Sequence, residues 1–304
     1  MRVKKRRFKA EGYEHVYCRS ANKAILFFDD IDRLAYYTAF SSRARKTGVV
    51  VLGLSIMFDH IHHLSAFATA DGMSSFMRDH LSFFALEYNE DMGKHGPVFE
   101  KAYGNAPKYG DKKIRTAIAY VANNHTEKKL CARVEECRWN FVAYLGSDYP
   151  FSERIQLDKA SRKMRRSIAA VRSCDGPIGY RRLRNLFDGL NEKEKEQLTD
   201  FIITHYYPID REAVLSFYGG DYQTMLTALN SNTGNEYDIH EDFDPDSHQI
   251  YTKMIDICKR SSYEHNLKRM QVATPTQKRF IADTLLQLTG ATARQLQCFW
   301  HSID

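Results

Sequence analysis

An α+β fold is what this sequence predicts: an antiparallel sheet with helices packed on it, followed by an all-α C-terminal domain. Two observations predict it. Strand and helix signals alternate over roughly the first 135 residues, and strand signals fade after about residue 150, where helical periodicity takes over. The residues 14–19 are β-branched and aromatic, a strand. A helix over 30–46 follows from Ile31, Leu34, Ala35 and Ala39 at helical spacing, with Asp29 and Asp30 at its positive end. The continuous apolar run 49–56 reads as a buried strand and 60–67 as a second, antiparallel one. A long amphipathic helix over 73–92 ends at Gly93. A strand over 98–103, a turn at Asn105-Ala106-Pro107 and a helix over 111–129 capped by Asp111 complete the set. That order suits a small sheet covered by helices on one side, of ferredoxin-like or palm type.

The 304 residues are enough for two domains, which the change of texture divides as 1–150 and 151–304. A hydrophobic content of 43% allows a true core, and a net charge of +6 permits a polyanionic partner without demanding one. Six scattered cysteines without a C-x-x-C pair argue against a zinc ribbon and for reduced thiols in a cytosol. No run of about 18 apolar residues predicts a membrane span, and the basic N-terminus lacks the apolar stretch of a secretory signal.

The most informative residues are Met57-Phe58-Asp59-His60-Ile61-His62-His63. On a strand, side chains alternate, so His60 and His62 share a face while Ile61 and His63 take the other. Two neutral imidazoles on one face can share a divalent ion, though an isolated H-x-H is a short pattern with many chance matches. Around it the sequence resembles the HUH endonucleases, and within them the REP-associated tyrosine transposases, whose Met-Pro-Asn-His-Val-His-Leu stretch is matched with Phe58 and Asp59 in place of Pro and Asn. The family's His-Val-x-x-Arg is matched by His15 to Arg19, followed by Phe27 and Asp32. Its later stretches are matched by Tyr88-Asn89, by Gly96 to Phe99, by Trp139, and by Tyr149 to Ser152.

The resemblance implies a metal-dependent enzyme that cuts and rejoins single-stranded DNA, at hairpin-flanked sites, through a 5′-phosphotyrosine. It implies His60 and His62 as ligands of Mg2+ or Mn2+. The family's Tyr-Ile-x-x-Asn-Pro stretch is matched by Tyr120, Val121 and Asn124, with His125 in place of the proline. Tyr120 is then the nucleophile and Asn124, four residues on and on the same helix face, a third ligand. Tyr120 taken alone reads as a core aromatic. Tyr88 is the second choice, and Tyr103 and Tyr109 come after it. Single-stranded or hairpin DNA is the implied partner, a monomer or homodimer the implied state, and a bacterial cytoplasm, in association with the nucleoid, the implied location.

Three basic groups are candidates for contact with DNA phosphates: Lys4, Lys5, Arg6 and Arg7; Lys112, Lys113 and Arg115; and Arg165, Arg166, Arg181 and Arg182. Each also reads as a solvated tail, a solvated helix face or a packing surface. The residues 275–302 form two helices joined at Thr289-Gly290, a weak helix-turn-helix pattern that would offer Thr292, Arg294, Gln295 or Gln297 to a major groove. The acidic segment 232–246 lacks the spacing of a calcium loop and reads as solvated. His15 reads as structural. Two rival functions follow: a domesticated protein that grips a DNA hairpin without cutting it, and a duplex-DNA regulator acting through the last two helices.

Overall fold

The computed structural model describes residues 8–100, 103–231, 247–264 and 274–299. Strand β1 (Tyr13–Arg19) leads to helix α1 (Asp30–Thr47), strands β2 (Val50–Ile56) and β3 (His60–Ala66), helix α2 (Ala70–Met92), strand β4 (Gly104–Lys108) and helix α3 (Gly110–Glu127). The four strands form one antiparallel sheet in the order β2-β3-β1-β4. Local chemistry sets the ends. Asp29 caps α1 in a reciprocal box with Asp32, and Gly48 and Gly93 close α1 and α2 in the left-handed conformation that glycine adopts without strain.

Expectations change first at the sheet edge and at the start of α3. The edge strand is 104–108 and not 98–103: Asn105-Ala106-Pro107, read as a turn, is paired with β1, and an edge strand tolerates the missing donor of Pro107. The cap of α3 is Tyr109, which leaves Asp111 in its first turn.

Helices cover both faces of the sheet and not one. Helices α1 and α2 close one face, where His63 meets Phe40 and Phe76. Helix α3 closes the other, where Tyr120 meets His62. The sequence signal for this lies in the near-continuous apolar run of β2; β3 is buried on both sides as well. Gly53 lets α3 approach closely, since a β-carbon there would stand 3.3 Å from Val121.

Among the described residues every element after β4 is helical. Helices α4 (Arg162–Arg172), α5 (Tyr180–Phe187), α6 (Glu192–His205), α7 (Arg211–Ser216) and α8 (Tyr222–Asn230) share one hydrophobic cluster with the sheet, unbroken from Val16 to Leu229. Asp200 on α6 ties that region together. It accepts hydrogen bonds from Tyr144 (2.6 Å), Phe151 N (3.1 Å) and Ser152 (2.9 Å), with Arg138 3.2 Å away. Helices α9 (Ser247–Glu264), α10 (Pro275–Thr289) and α11 (Ala293–Phe299) form a second cluster with Ile25, Phe28 and Phe58 from the loops at one end of the sheet.

The cysteines also depart from expectation. Cys131 and Cys137 are joined in a disulfide, and the short helical turn between them holds their Cα atoms 6.1 Å apart, within bridging range. Cys18, Cys174, Cys258 and Cys298 are thiols. No described helix is long and apolar enough to cross a membrane.

Candidate metal and tyrosine site

Strand β3 begins at His60, so the alternation of the strand sends His60 and His62 toward α3 and Ile61 and His63 toward α1 and α2. The rings of His60 and His62 lie 5.0 Å apart, edge to face. Tyr120, in the middle of α3, stands edge-on to His62 with ring centres 5.3 Å apart. All three are buried, Tyr120 being only 3% exposed. Asn124 lies one helical turn on, equally buried, and its amide donates to Tyr120 O at 3.0 Å.

Hydrogen bonds orient both imidazoles. His60 Nδ1 lies 2.6 Å from Asp59 Oδ1, and His62 Nδ1 lies 3.1 Å from His15 Nε2. A ring that donates through Nδ1 carries its lone pair on Nε2, so the Asp59 contact favours the tautomer in which His60 Nε2 can ligate a metal, and the His15 contact is compatible with the same tautomer of His62. By this chemistry the donor set fits a divalent ion. Burial pushes the Asp59 carboxyl up, but His60, His248 and Arg19 outweigh it and hold it at about 2. Asp59 is therefore a carboxylate at any physiological pH.

Three neighbours were not anticipated. His15, read as structural, stacks on His62 with ring centres 5.2 Å apart. Tyr17 is paired directly across from His62 in the β1–β3 register, its ring 6.3 Å from that of His62 and 46% exposed. It lies over Gly104, where a β-carbon would stand 2.0 Å from its ring. Alternation along β1 puts His15, Tyr17 and Arg19 on one face, but the strand pairing that sets them beside β3 has no local signal. His248, on α9, comes from nearly two hundred residues away in sequence; its ring lies 6.2 Å from that of His60 and its Nε2 4.0 Å from Asp59 Oδ1.

His125, where the resemblance has proline, does not end α3, which runs on to Glu127. Its ring is buried near Ser55 Oγ (3.4 Å), and burial, then Arg33 and His248, pushes it down to about 3. Tyr88, the second-choice nucleophile, is on α2 beside Phe84 and Tyr180, in the helix layer across the sheet. Tyr103 contacts Ser74 Oγ at 3.2 Å, and Tyr109 lies under Lys9.

The basic candidates are divided. Lys112, Lys113 and Arg115 are exposed on the first turns of α3, the helix of Tyr120. Arg165, Arg166, Arg181 and Arg182 are exposed on α4 and α5, and α5 packs on α1 and α2, the layer on the other face of the sheet. Two of them serve local structure: Arg165 donates to Ala160 O (2.7 Å) and Arg182 to Ala170 O (2.7 Å). Lys4, Lys5, Arg6 and Arg7 lie outside the described residues, as do the acidic segment 232–246 and residues 300–302. In the closing helix pair, Gln295 accepts from Thr292 N and Oγ1, capping α11. Arg294 and Gln297 are exposed. Between the two helices Leu285, Leu296 and Phe299 are buried, while Ala293 is exposed.

No protein-family model and no curated protein sequence matches this sequence. Among solved structures the chain is similar to a REP-associated tyrosine transposase bound to a REP hairpin, at 13% identity over 47% of this chain and 84% of that one, with a TM-score of 0.41.

Proposed function

We propose that this protein is a metal-dependent nuclease and strand transferase for single-stranded DNA, with Tyr120 as nucleophile and His60 and His62 as metal ligands. One observation carries the reading: a helix tyrosine standing edge-on, 5.3 Å between ring centres, to the second imidazole of a same-face histidine pair. The β-α-β-β-α-β order of the first six elements, with strand order β2-β3-β1-β4, is that of a ferredoxin-like unit, the type expected for such a site. The two-part division into a catalytic unit, 1–150, and a helical DNA-binding unit, 151–304, belongs to the same proposal.

A divalent ion held by the two Nε2 atoms, Mg2+ or Mn2+, would polarise the scissile phosphate and offset charge in the transition state. The protein's own residues do the rest. The Tyr120 oxygen bonds to phosphorus, the bond to the 3′ oxygen breaks, and a 5′-phosphotyrosine and a 3′-hydroxyl result. Asp59 holds His60 in its ligating tautomer, and His62 takes the same tautomer when it donates to His15. Asn124, whose amide nitrogen is bonded to the helix, has its carbonyl oxygen to offer as a third donor. Lys112, Lys113 and Arg115 would meet DNA phosphates at the start of the same helix.

The depth of burial of His60, His62, Tyr120 and Asn124 favours a second reading, a DNA-hairpin-binding protein that no longer cuts. Incubation with single-stranded hairpin DNA and Mn2+, resolved on a denaturing gel, separates the two. A covalent adduct that Tyr120→Phe abolishes, and that Tyr88→Phe and Tyr17→Phe retain, supports cleavage through Tyr120. Hairpin binding with no adduct supports the second reading, and an adduct lost only in Tyr17→Phe moves the nucleophile to β1.

A further inference from the structure

His248 reaches the far side of His60 from the chain's last helical layer. It is 1% exposed, packed between Phe58 and Tyr251, with ring centres 5.4 Å and 6.1 Å away. Asp59 Oδ1 lies 2.6 Å from His60 Nδ1 and 4.0 Å from His248 Nε2. One ligand atom from each of Asp59, His60 and His248 lies within 4.8 Å of the others, and all three residues are buried. Donors bonded to one ion at about 2.0–2.2 Å stand roughly 3–3.5 Å apart, so small side-chain rotations close this group around a cation. Two imidazoles and a carboxylate, brought together in a protein interior, are a donor set for a divalent transition metal.

We propose that Asp59, His60 and His248 form a binding site for a divalent transition-metal ion, and that the ion fastens α9 to the start of β3. The site goes beyond the tyrosine chemistry and stands whether or not a strand is cut. Its donors come from two parts of the fold: Asp59 directly precedes β3 and His60 opens it, while His248 is on the helix that carries Tyr251, Met254 and Ile255 into the second cluster. Metal binding is therefore also a clamp, holding α9–α11 against the loops around Ile25, Phe28 and Phe58.

The single lone pair of a neutral imidazole gives the site a further property. With Nδ1–H directed at Asp59, His60 offers Nε2, the arrangement used with His62. An ion seated between Asp59 and His248 takes the lone pair on Nδ1, and the ring proton moves to Nε2, with no net proton released. His60 then serves one ion position at a time. Occupation by His248 and Asp59 excludes occupation with His62.

Calorimetric titration of the full chain with Zn2+ and with Mn2+, Mg2+ being the control, tests this. The expected result is one tight Zn2+ site, weakened at least tenfold in His248→Gln and in Asp59→Asn, kept in His62→Gln, and poorly filled by Mg2+. Hydrogen exchange in α9 slows when Zn2+ is added to the wild type and does not respond in His248→Gln. Thermal unfolding without metal shows that each variant is folded, and Asp59→Asn serves if His248→Gln is not. Equal Zn2+ affinity in wild type and both variants overturns the proposal. So does loss of Zn2+ binding in His62→Gln alone, which places the ion on the strand pair and leaves the tyrosine reading standing. The adduct gel reports on that reading separately: no adduct, with Zn2+ binding still dependent on His248, sinks the nuclease and keeps this site.

Discussion

His62 and His63 are neighbours on one strand and both are buried, yet the two faces of the sheet treat them differently. His62 faces other polar groups: His15 at hydrogen-bond distance, the rings of His60 and Tyr120 around it. His63 faces Phe40, Phe67, Phe76 and Met77, with Ser65 Oγ at 2.9 Å from its Nδ1. Burial pushes His63 well below the usual histidine range, with His80 and His62 adding to the effect. The strand alternation that turns one toward the proposed site makes a neutral packing group of the other. Burial of a histidine alone therefore says little about function; what faces it decides.

The largest effect should appear where the comparison is sharpest. His62→Ala should abolish metal-dependent adduct formation, a fall of roughly a hundredfold or more. His63→Leu, which replaces one packing group by another, should leave the adduct yield within about twofold, read on the same gel. Equal losses in the two variants would erase the distinction between the faces.

A second effect concerns stability, and its scale is set by Asp200, a buried carboxylate that holds Tyr144, Ser152 and Phe151 N beside Arg138. Asp200→Ala should cost about 3 kcal/mol, since it leaves three donors without their acceptor, while Arg138 keeps Glu196. Urea unfolding measures it. The segment Tyr149 to Ser152, matched to the family motif, would then owe its place to this internal bond and not to DNA.

Acid should act on the packing face as well. His80, buried behind His63, is pushed down to about 4 by burial, and His125 on the other face to about 3. In the unfolded chain these rings gain protons near pH 6.5, so below that pH the unfolded state binds more protons and stability falls as pH drops. The window runs from about 6.5 down to 4 for His80 and to 3 for His125, at up to about 1.4 kcal/mol per pH unit for each. Asp59, held at about 2, does not titrate there. A urea midpoint that falls from pH 6.5 to 4.5, and falls less in His80→Gln, would bear this out.

The smallest effect separates the two basic surfaces. Neutralising Lys112, Lys113 and Arg115 together should weaken hairpin binding and lower the salt slope by about one unit for each DNA phosphate that no longer meets a cation. Neutralising Arg166 and Arg181 on the opposite layer should change it less. Filter binding over a salt series decides between them.

The geometry of the candidate site was partly legible because it is local. Period-two alternation separates His60 and His62 from His63, and period-3.6 spacing sets Tyr120 and Asn124 on one helix face. The element order of the first six elements was legible for the same reason, as was Gly93 at the end of α2. What was not legible is non-local. The Tyr17–His62 pairing depends on strand register, and the arrival of His248 depends on how α9 docks. Coverage on one side was expected although the near-continuous apolar run of β2 suits burial on both faces; the polar sequence of β3 carries no such sign. Asn105-Ala106-Pro107 was misread because a turn-like composition is also compatible with an edge strand. The change of texture near residue 150 marks strands giving way to helices; the hydrophobic cluster itself runs on to Leu229.

The central claim is that the Tyr120 oxygen becomes bonded to DNA. Tryptic mass spectrometry of the protein after incubation with hairpin DNA and Mn2+, followed by nuclease trimming, reads that bond directly. The account predicts a nucleotide phosphate on the peptide spanning residues 116–128, at Tyr120. A nucleotide phosphate on a peptide carrying Tyr17 or Tyr88, or none on any tyrosine while the hairpin is bound, would contradict it.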